Sequence, residues 1–216
     1  MTDSSLSERS GLERGVRDRL LDAAERLFCA KGFHGTSVRD LTTEANCNVA
    51  AINYHFGGKV ELYSEMFRRQ IKLVIEESMA VIDRVMSSPH PSIEALIRGW
   101  VTAPLKAVEL NEPRGLVLQL MVREVLNRQV DPERIFADLK EVFVARMSAA
   151  FRELGEGLDV QNSQLAVFSV DALMLHPLLF MPYYRSWIEG CDSDKIIDHV
   201  VRFGAAAIRG YRGNQA

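Results

Sequence analysis

The side chains best suited to specific chemistry crowd into one stretch, TSVRDLTTEANCNVAAINYHFGGK, residues 36–59. An asparagine amide offers a donor beside an acceptor, the pattern that pairs with adenine in a major groove, and an alanine methyl can meet the methyl of thymine. On that chemistry Asn48, Ala50 and Asn53 are candidates for base edges. Hydroxyl, guanidinium, imidazole and ammonium groups suit phosphate oxygens. Thr36, Arg39, Tyr54, His55 and Lys59 supply these and are candidates for phosphate contacts. The same residues could instead pack a small bundle, Tyr54 above all.

Two short helices must hold these groups. The first is expected over Val38 to Ala45, the break at Asn46-Cys47-Asn48, and the second over Val49 to Phe56, closed by Gly57-Gly58. Val49, Ile52 and Phe56 fall at i, i+3 and i+7, which predicts one buried face and leaves the polar groups outward. Asn48 reads as an N-cap whose helix start stays open and positive, suited to an anion. A short helix with small and amide groups outward fits a major groove, so the stretch reads as a helix-turn-helix. An earlier helix, Leu12 to Lys31 with Gly32 as its C-cap, and the cap Thr36-Ser37 complete a three-helix bundle.

The sequence of 216 residues is 47% hydrophobic, ample for a buried core, and has too few Gly and Pro for a fibrous or disordered chain. Net charge is −3, and residues 1–60 carry as many Asp and Glu as Lys and Arg. An indiscriminate polyanion binder would be far more basic, which leaves a specific binder with a few placed cations. Cys29, Cys47 and Cys191 make no disulfide framework and no metal-ligand spacing with the five histidines, so neither metal nor cofactor is called for. No G-x-S-x-G, phosphate loop or H-E-x-x-H is present, so no enzyme is indicated. The polar N-terminus lacks a signal-peptide core, and no apolar run of ~18 residues is seen. No membrane is expected; a reducing cytoplasm is.

Residues 1–11 read as a disordered tail. Beyond Gly58 a helix of nearly thirty residues runs to Ser87, followed by helices over Ser92–Leu110 with a kink at Pro104, Pro113–Asn127, Asp131–Leu154, Ser163–Phe180 and Ser193–Tyr211. With no alternating pattern of strands, the fold class is all-α.

The helix LLDAAERLF, the link G-F-x-G-T-S, the helix A-I-N-Y-H-F and the start G-K-x-x-L-Y resemble the N-terminal domain of the TetR (tetracycline-repressor) family over about residues 17–65. The usual Gly-Val-Ser turn stands here as Asn46-Cys47-Asn48, and asparagine tolerates the left-handed conformation of a turn glycine. NVAAINYHFGGK and NEPRGLVLQLMVREVLN are similar to the CecR-like branch. The resemblance implies a helix-turn-helix domain over 12–58 and a helical effector-binding and dimerisation domain over 59–216. It further implies a homodimeric transcriptional regulator, a repressor of a palindromic double-stranded DNA operator released by a small-molecule effector. The last two helices would form the dimer interface, through residues such as Leu165, Phe168, Val170, Phe203 and Ile208. Trp100, Met121, Phe143, Met147 and Tyr184 are candidates to line an effector cavity, with Arg123, Glu124 and His176 as its polar groups. Plain core packing accounts for the same spacing, and Arg123 and Glu124, being consecutive, should not both face inward. Two other readings stay open: a redox-sensing regulator acting through Cys47, and a helical adaptor with no DNA role.

Overall fold

The computed structural model describes residues 3–127, 131, 136, 139–155 and 157–211, and among these every regular element is a helix. They fall into two compact units, one of the residues up to Gln70 with the described ones of 127–135, and one of Ile71–Leu126 with the residues from Phe136 on.

In the first unit α1 spans Asp3–Gly35, broken at Gly32, where φ is 72° and ψ 174°. The tail expected over 1–11 is helical from Asp3. Residues 3–11 hold no proline, and one glycine costs only ~1 kcal/mol in a helix, so nothing there stops the frame. α2, Val38–Glu44, starts at Ser37, whose hydroxyl accepts from Asp40 N–H while the Asp40 carboxylate accepts from Ser37 N–H at 2.8 Å. This capping box satisfies two otherwise orphaned donors. Asn46 takes the expected left-handed conformation, φ 48°. α3, Ala50–Phe56, ends at Gly57, left-handed at φ 82°. α4, Lys59–Met86, follows at once. Its first turns belong to this unit because Leu62, Tyr63, Met66 and Phe67 are buried, with the Tyr63 ring 4.7 Å from those of Phe28 and Phe67.

The second unit contains the remainder of α4, then α5, Ile93–Glu109, which runs through Pro104 as one helix, and α6, Pro113–Asn127. The helix expected from Asp131 lies partly outside the described residues (132–135 and 137–138). Its described part is a π-helical turn, Leu139–Val144, leading into α7, Ala145–Leu154. α8 is longer at both ends than expected, Val160–Trp187, because Asp159 caps it and the chain recovers helix after a break at Phe180. α9 is Ser193–Gly210. α8 is also long and apolar enough, by length and composition, to cross a membrane. No uninterrupted apolar run marks it in the sequence, since isolated Ser, Asp and His residues break the run without making the helix polar.

The break in α8 has a clear origin. Pro182 has no N–H to give the Leu178 carbonyl four residues earlier. That carbonyl instead accepts from Gln119 Nε2 of α6 at 2.8 Å. Gln119→Ala should therefore destabilise the protein by about 1–3 kcal/mol, the cost of an unsatisfied buried acceptor. Pro182→Ala, which restores the intrahelical donor, should recover much of the loss; strictly additive effects in urea denaturation would contradict this pairing.

Where α5, α8 and α9 meet, Glu109 accepts from Ser193 N–H at 3.1 Å and from the Ser193 hydroxyl, with Arg185 at 3.1 Å and Lys106 at 3.5 Å. The Ser193 hydroxyl bond leads in holding the Glu109 carboxyl down to about 2, against partial burial, and the Ser193 amide, Arg185 and Lys106 assist. A depressed carboxylate stabilises the fold above its unfolded pKa and loses that contribution as pH falls toward the folded value. Thermal melts should show Glu109→Gln less stable than wild type at pH 7, with the gap closing between about pH 4.5 and 2.

Candidate functional site

α3 turns Ile52 and Phe56 into the core, 1% and 8% exposed, and so points Ala50, Asn53 and Tyr54 outward, Tyr54 at 72%. Arg39 and Asn48 are exposed beside them. Five of the eight residues read from the sequence as DNA contacts thus share the outer side of the helix-turn-helix. His55 is half-buried, its ring 4.9 Å from Tyr54 and 6.3 Å from Phe56.

Two of the expected phosphate contacts, Thr36 and Lys59, are engaged within the protein. Thr36 is 1% exposed, and its hydroxyl lies 2.9 Å from the Gly32 carbonyl and 3.2 Å from that of Leu27. It ties the end of α1 to the start of α2, because the break at Gly32 frees carbonyls that need a donor. Lys59 donates from Nζ to the Phe33 carbonyl at 2.5 Å and sits 4.1 Å from the centre of the Phe33 ring. Burial draws its pKa down, which fits an ammonium engaged by protein rather than by solvent.

The start of α3 also differs from expectation. Val49, assigned to the buried face, is 49% exposed and forms the N-cap position itself. Asn48 does not leave the helix start open: its Oδ1 accepts from Ala50 N–H and its carbonyl from Ala51 N–H, both at 2.9 Å. The Ala50 and Ala51 donors at that start are thereby taken. Two residues that the sequence did not single out brace this corner. Arg19 Nε donates to the Ala45 carbonyl at 2.9 Å, and the Arg17 guanidinium lies 5.3 Å from the Phe56 ring centre. Both look like ordinary surface cations in the sequence, so nothing there marks them. An open cleft of about 500 Å³ is lined by Arg39, Thr42 and Thr43 of α2 and by the turn from Asn46 to Val49. Cys47 lies in that wall. Burial pushes its thiol pKa up and Arg19 offsets only part of this, which lowers the fraction of reactive thiolate and weighs against the redox reading.

The ligand candidates divide differently. Trp100, Met121, Phe143 and Met147 are buried, with Trp100 and Phe143 ring centres 5.1 Å apart. Of the consecutive pair, Glu124 is buried and Arg123 is exposed, its guanidinium 3.3 Å from its own helix's Gln119 carbonyl. His176 is exposed rather than in a cavity; its Nδ1 is 2.9 Å from the Tyr184 hydroxyl and its ring stacks on Phe180 at 4.6 Å. Asp171, absent from the sequence reading, stands in one row of α8 with the buried Val167, Met174 and Leu178. Crowding by protein raises its carboxyl to about 6 although part of its surface still meets solvent. Of the residues expected at a dimer interface, Val170 and Ile208 are core, each 2% exposed. Leu165, Phe168 and Phe203 are half exposed.

A buried-face α3 set at the surface after a tight turn defines a helix-turn-helix reading head. Residues 20–66 match the model of the bacterial regulatory proteins, tetR family. Over 44 residues the chain is 49% identical to YttP of Bacillus subtilis, a probable HTH-type transcriptional regulator, covering 20% of this chain and 21% of that one. It is 24% identical to the HTH-type transcriptional repressor KstR2 of Rhodococcus jostii over 73% of this chain and 70% of that one. The fold is shared with FadR of Bacillus subtilis, solved with stearoyl-CoA, at a TM-score of 0.63 and 16% identity, covering 87% and 97% of the two chains. The tetR-family match covers the helix-turn-helix unit, residues 20–66. None of these matches singles out the CecR-like branch.

Packing and reading should separate by mutation. Thr36→Val should lower the melting temperature by removing the α1–α2 tie, at a cost of about 1 kcal/mol. Tyr54→Ala should leave the melting temperature nearly unchanged while weakening DNA binding. A head in which Tyr54→Ala melts early and Thr36→Val does not would reverse these roles.

Proposed function

We propose that this chain is a transcriptional regulator that reads a palindromic DNA operator as a homodimer and is released from it by a small-molecule effector. The observation that carries the reading is the rotation of α3, which hides Ile52 and Phe56 and presents Ala50, Asn53 and Tyr54. Asn53 reads an adenine edge, Ala50 meets a thymine methyl, and Arg39, Tyr54 and His55 hold phosphates. The work belongs in the cytoplasm, where DNA is reached, and it needs no bond-making chemistry.

The near-neutral charge of the head favours dimerisation, because one short helix offers few contacts and two copies double them. Leu165 and Phe168 of α8 and Phe203 of α9 supply an apolar face for the second copy. Two heads must then meet successive major grooves, roughly 34–36 Å apart. An effector that prefers another separation lowers operator affinity only by its differential affinity for the two states; a 100-fold release needs about 2.7 kcal/mol. FadR, with the same fold, holds stearoyl-CoA. In this chain Trp100, Met121, Phe143 and Met147 offer a surface for an apolar effector, and Asp171 stands near that core as an acidic group. KstR2 carries the name of a repressor, and repression is the direction proposed here.

Selection of genomic fragments by the purified protein at near-physiological salt tests the reading. The expected result is one palindromic site with half-sites about one turn apart. Phe168→Glu should halve the solution mass and weaken operator binding at least tenfold. Sequence-blind binding that salt abolishes, or full operator binding by a stable monomer, would overturn it.

A further inference from the structure

Val49 is an apolar side chain left half exposed at the start of α3, beside a cleft whose other described lining residues carry amides, hydroxyls, the Cys47 thiol and an arginine. Its exposure follows from the turn. Asn46 in the left-handed conformation and Asn48 bonded to Ala50 N–H set residue 49, itself helical at φ −53° and ψ −36°, in the N-cap position at an end of the helix that the core does not cover. Val49, Ala50 and Asn53 then stand together as i, i+1 and i+4 at the N-terminal end of the helix. In docked helix-turn-helix proteins the N-terminal residues of the second helix meet the base edges. An isopropyl group can accept no hydrogen bond there, and the one apolar feature a major groove offers is the 5-methyl group of thymine. The neighbouring cleft supports the same occupant: Arg39 is its only charged lining residue, so a polyanion can lie along it while Val49 faces the groove floor.

We propose that Val49 is a specificity-determining residue that packs against the 5-methyl group of a thymine in each operator half-site. The proposal rests on the DNA-reading role above and adds a residue and a base identity to it. It requires no change in the core of the head, since Val49 lies outside that core.

The test removes the methyl from either side. Fragment selection identifies the wild-type site and repeats the selection with Val49→Asn. The wild type should show a thymine preference at one position of each half-site, and the variant should lose it there alone. Replacing that thymine by uracil, which removes only the methyl, should weaken wild-type binding about fourfold per half-site, the worth of one buried methyl. The same replacement should leave Val49→Asn binding unchanged. An unaltered preference in the variant, or an equal uracil effect in both proteins, overturns the proposal while the DNA-reading role stands. If the wild type selects no site, both fall. Circular dichroism melts of Val49→Asn matching wild type show that the comparison is made between folded heads.

Discussion

The burial of two side chains, Ile52 and Phe56, governs what this molecule can do. α3 has seven residues, far below the ~12–15 at which an isolated helix becomes even marginal in water. It exists because those two residues are buried where α3 meets α1 and α2. Their burial also fixes the rotation of the helix about its axis, and with it the side chains that face outward. Around this anchor every local device serves to hold the turn. Asn46 supplies the reversal, Asn48 occupies the first donors, Arg19 takes the Ala45 carbonyl, and Arg17 lies over the ring of Phe56.

The division of labour in the second unit follows the same logic with larger pieces. α8 and α9 are apolar around more of their circumference than one core can cover. Val170, Val200 and Ile208 go inward, while Leu165, Phe168 and Phe203 stay half exposed. α8 also carries two prolines within its span and survives them because Gln119 of a neighbouring helix meets the Leu178 carbonyl that Pro182 leaves without its intrahelical donor. Tertiary structure here repairs a defect of local structure. Glu109 does similar work at the end of α5, gathering the start of α9 and the last turn of α8 through Ser193 and Arg185.

Much of this was legible in the sequence, and the misses share a cause. Helix period, breakers and caps gave the all-α class and the bounds of α2, α4 and α6 closely, because those signals are local. The inward placement of Ile52 and Phe56 came from periodicity alone, which also excluded that Arg123 and Glu124 both face inward but could not choose between them. Val49 is the exception to that periodicity: it keeps helical dihedrals at the cap, φ −53° and ψ −36°, yet stays half exposed, because the core does not extend to the end of so short a helix. Thr36 and Lys59 were taken for phosphate contacts by their chemistry. Their partners are carbonyls at Gly32 and Phe33, distant from Lys59 in sequence and exposed only by a break in α1. Asp171 could not be found at all without knowing what crowds it.

The side chains that hold the head together and those that face outward from it are almost disjoint sets. Ile52 and Phe56 bear the fold, while Val49, Ala50 and Asn53 lie at the surface and bury little. Such a separation loosens the usual conflict between stability and change. Substitutions on the outer face alter what is recognised without drawing on a marginal folding free energy. Lineages carrying this head can therefore drift from one binding sequence to another through intermediates that all remain folded.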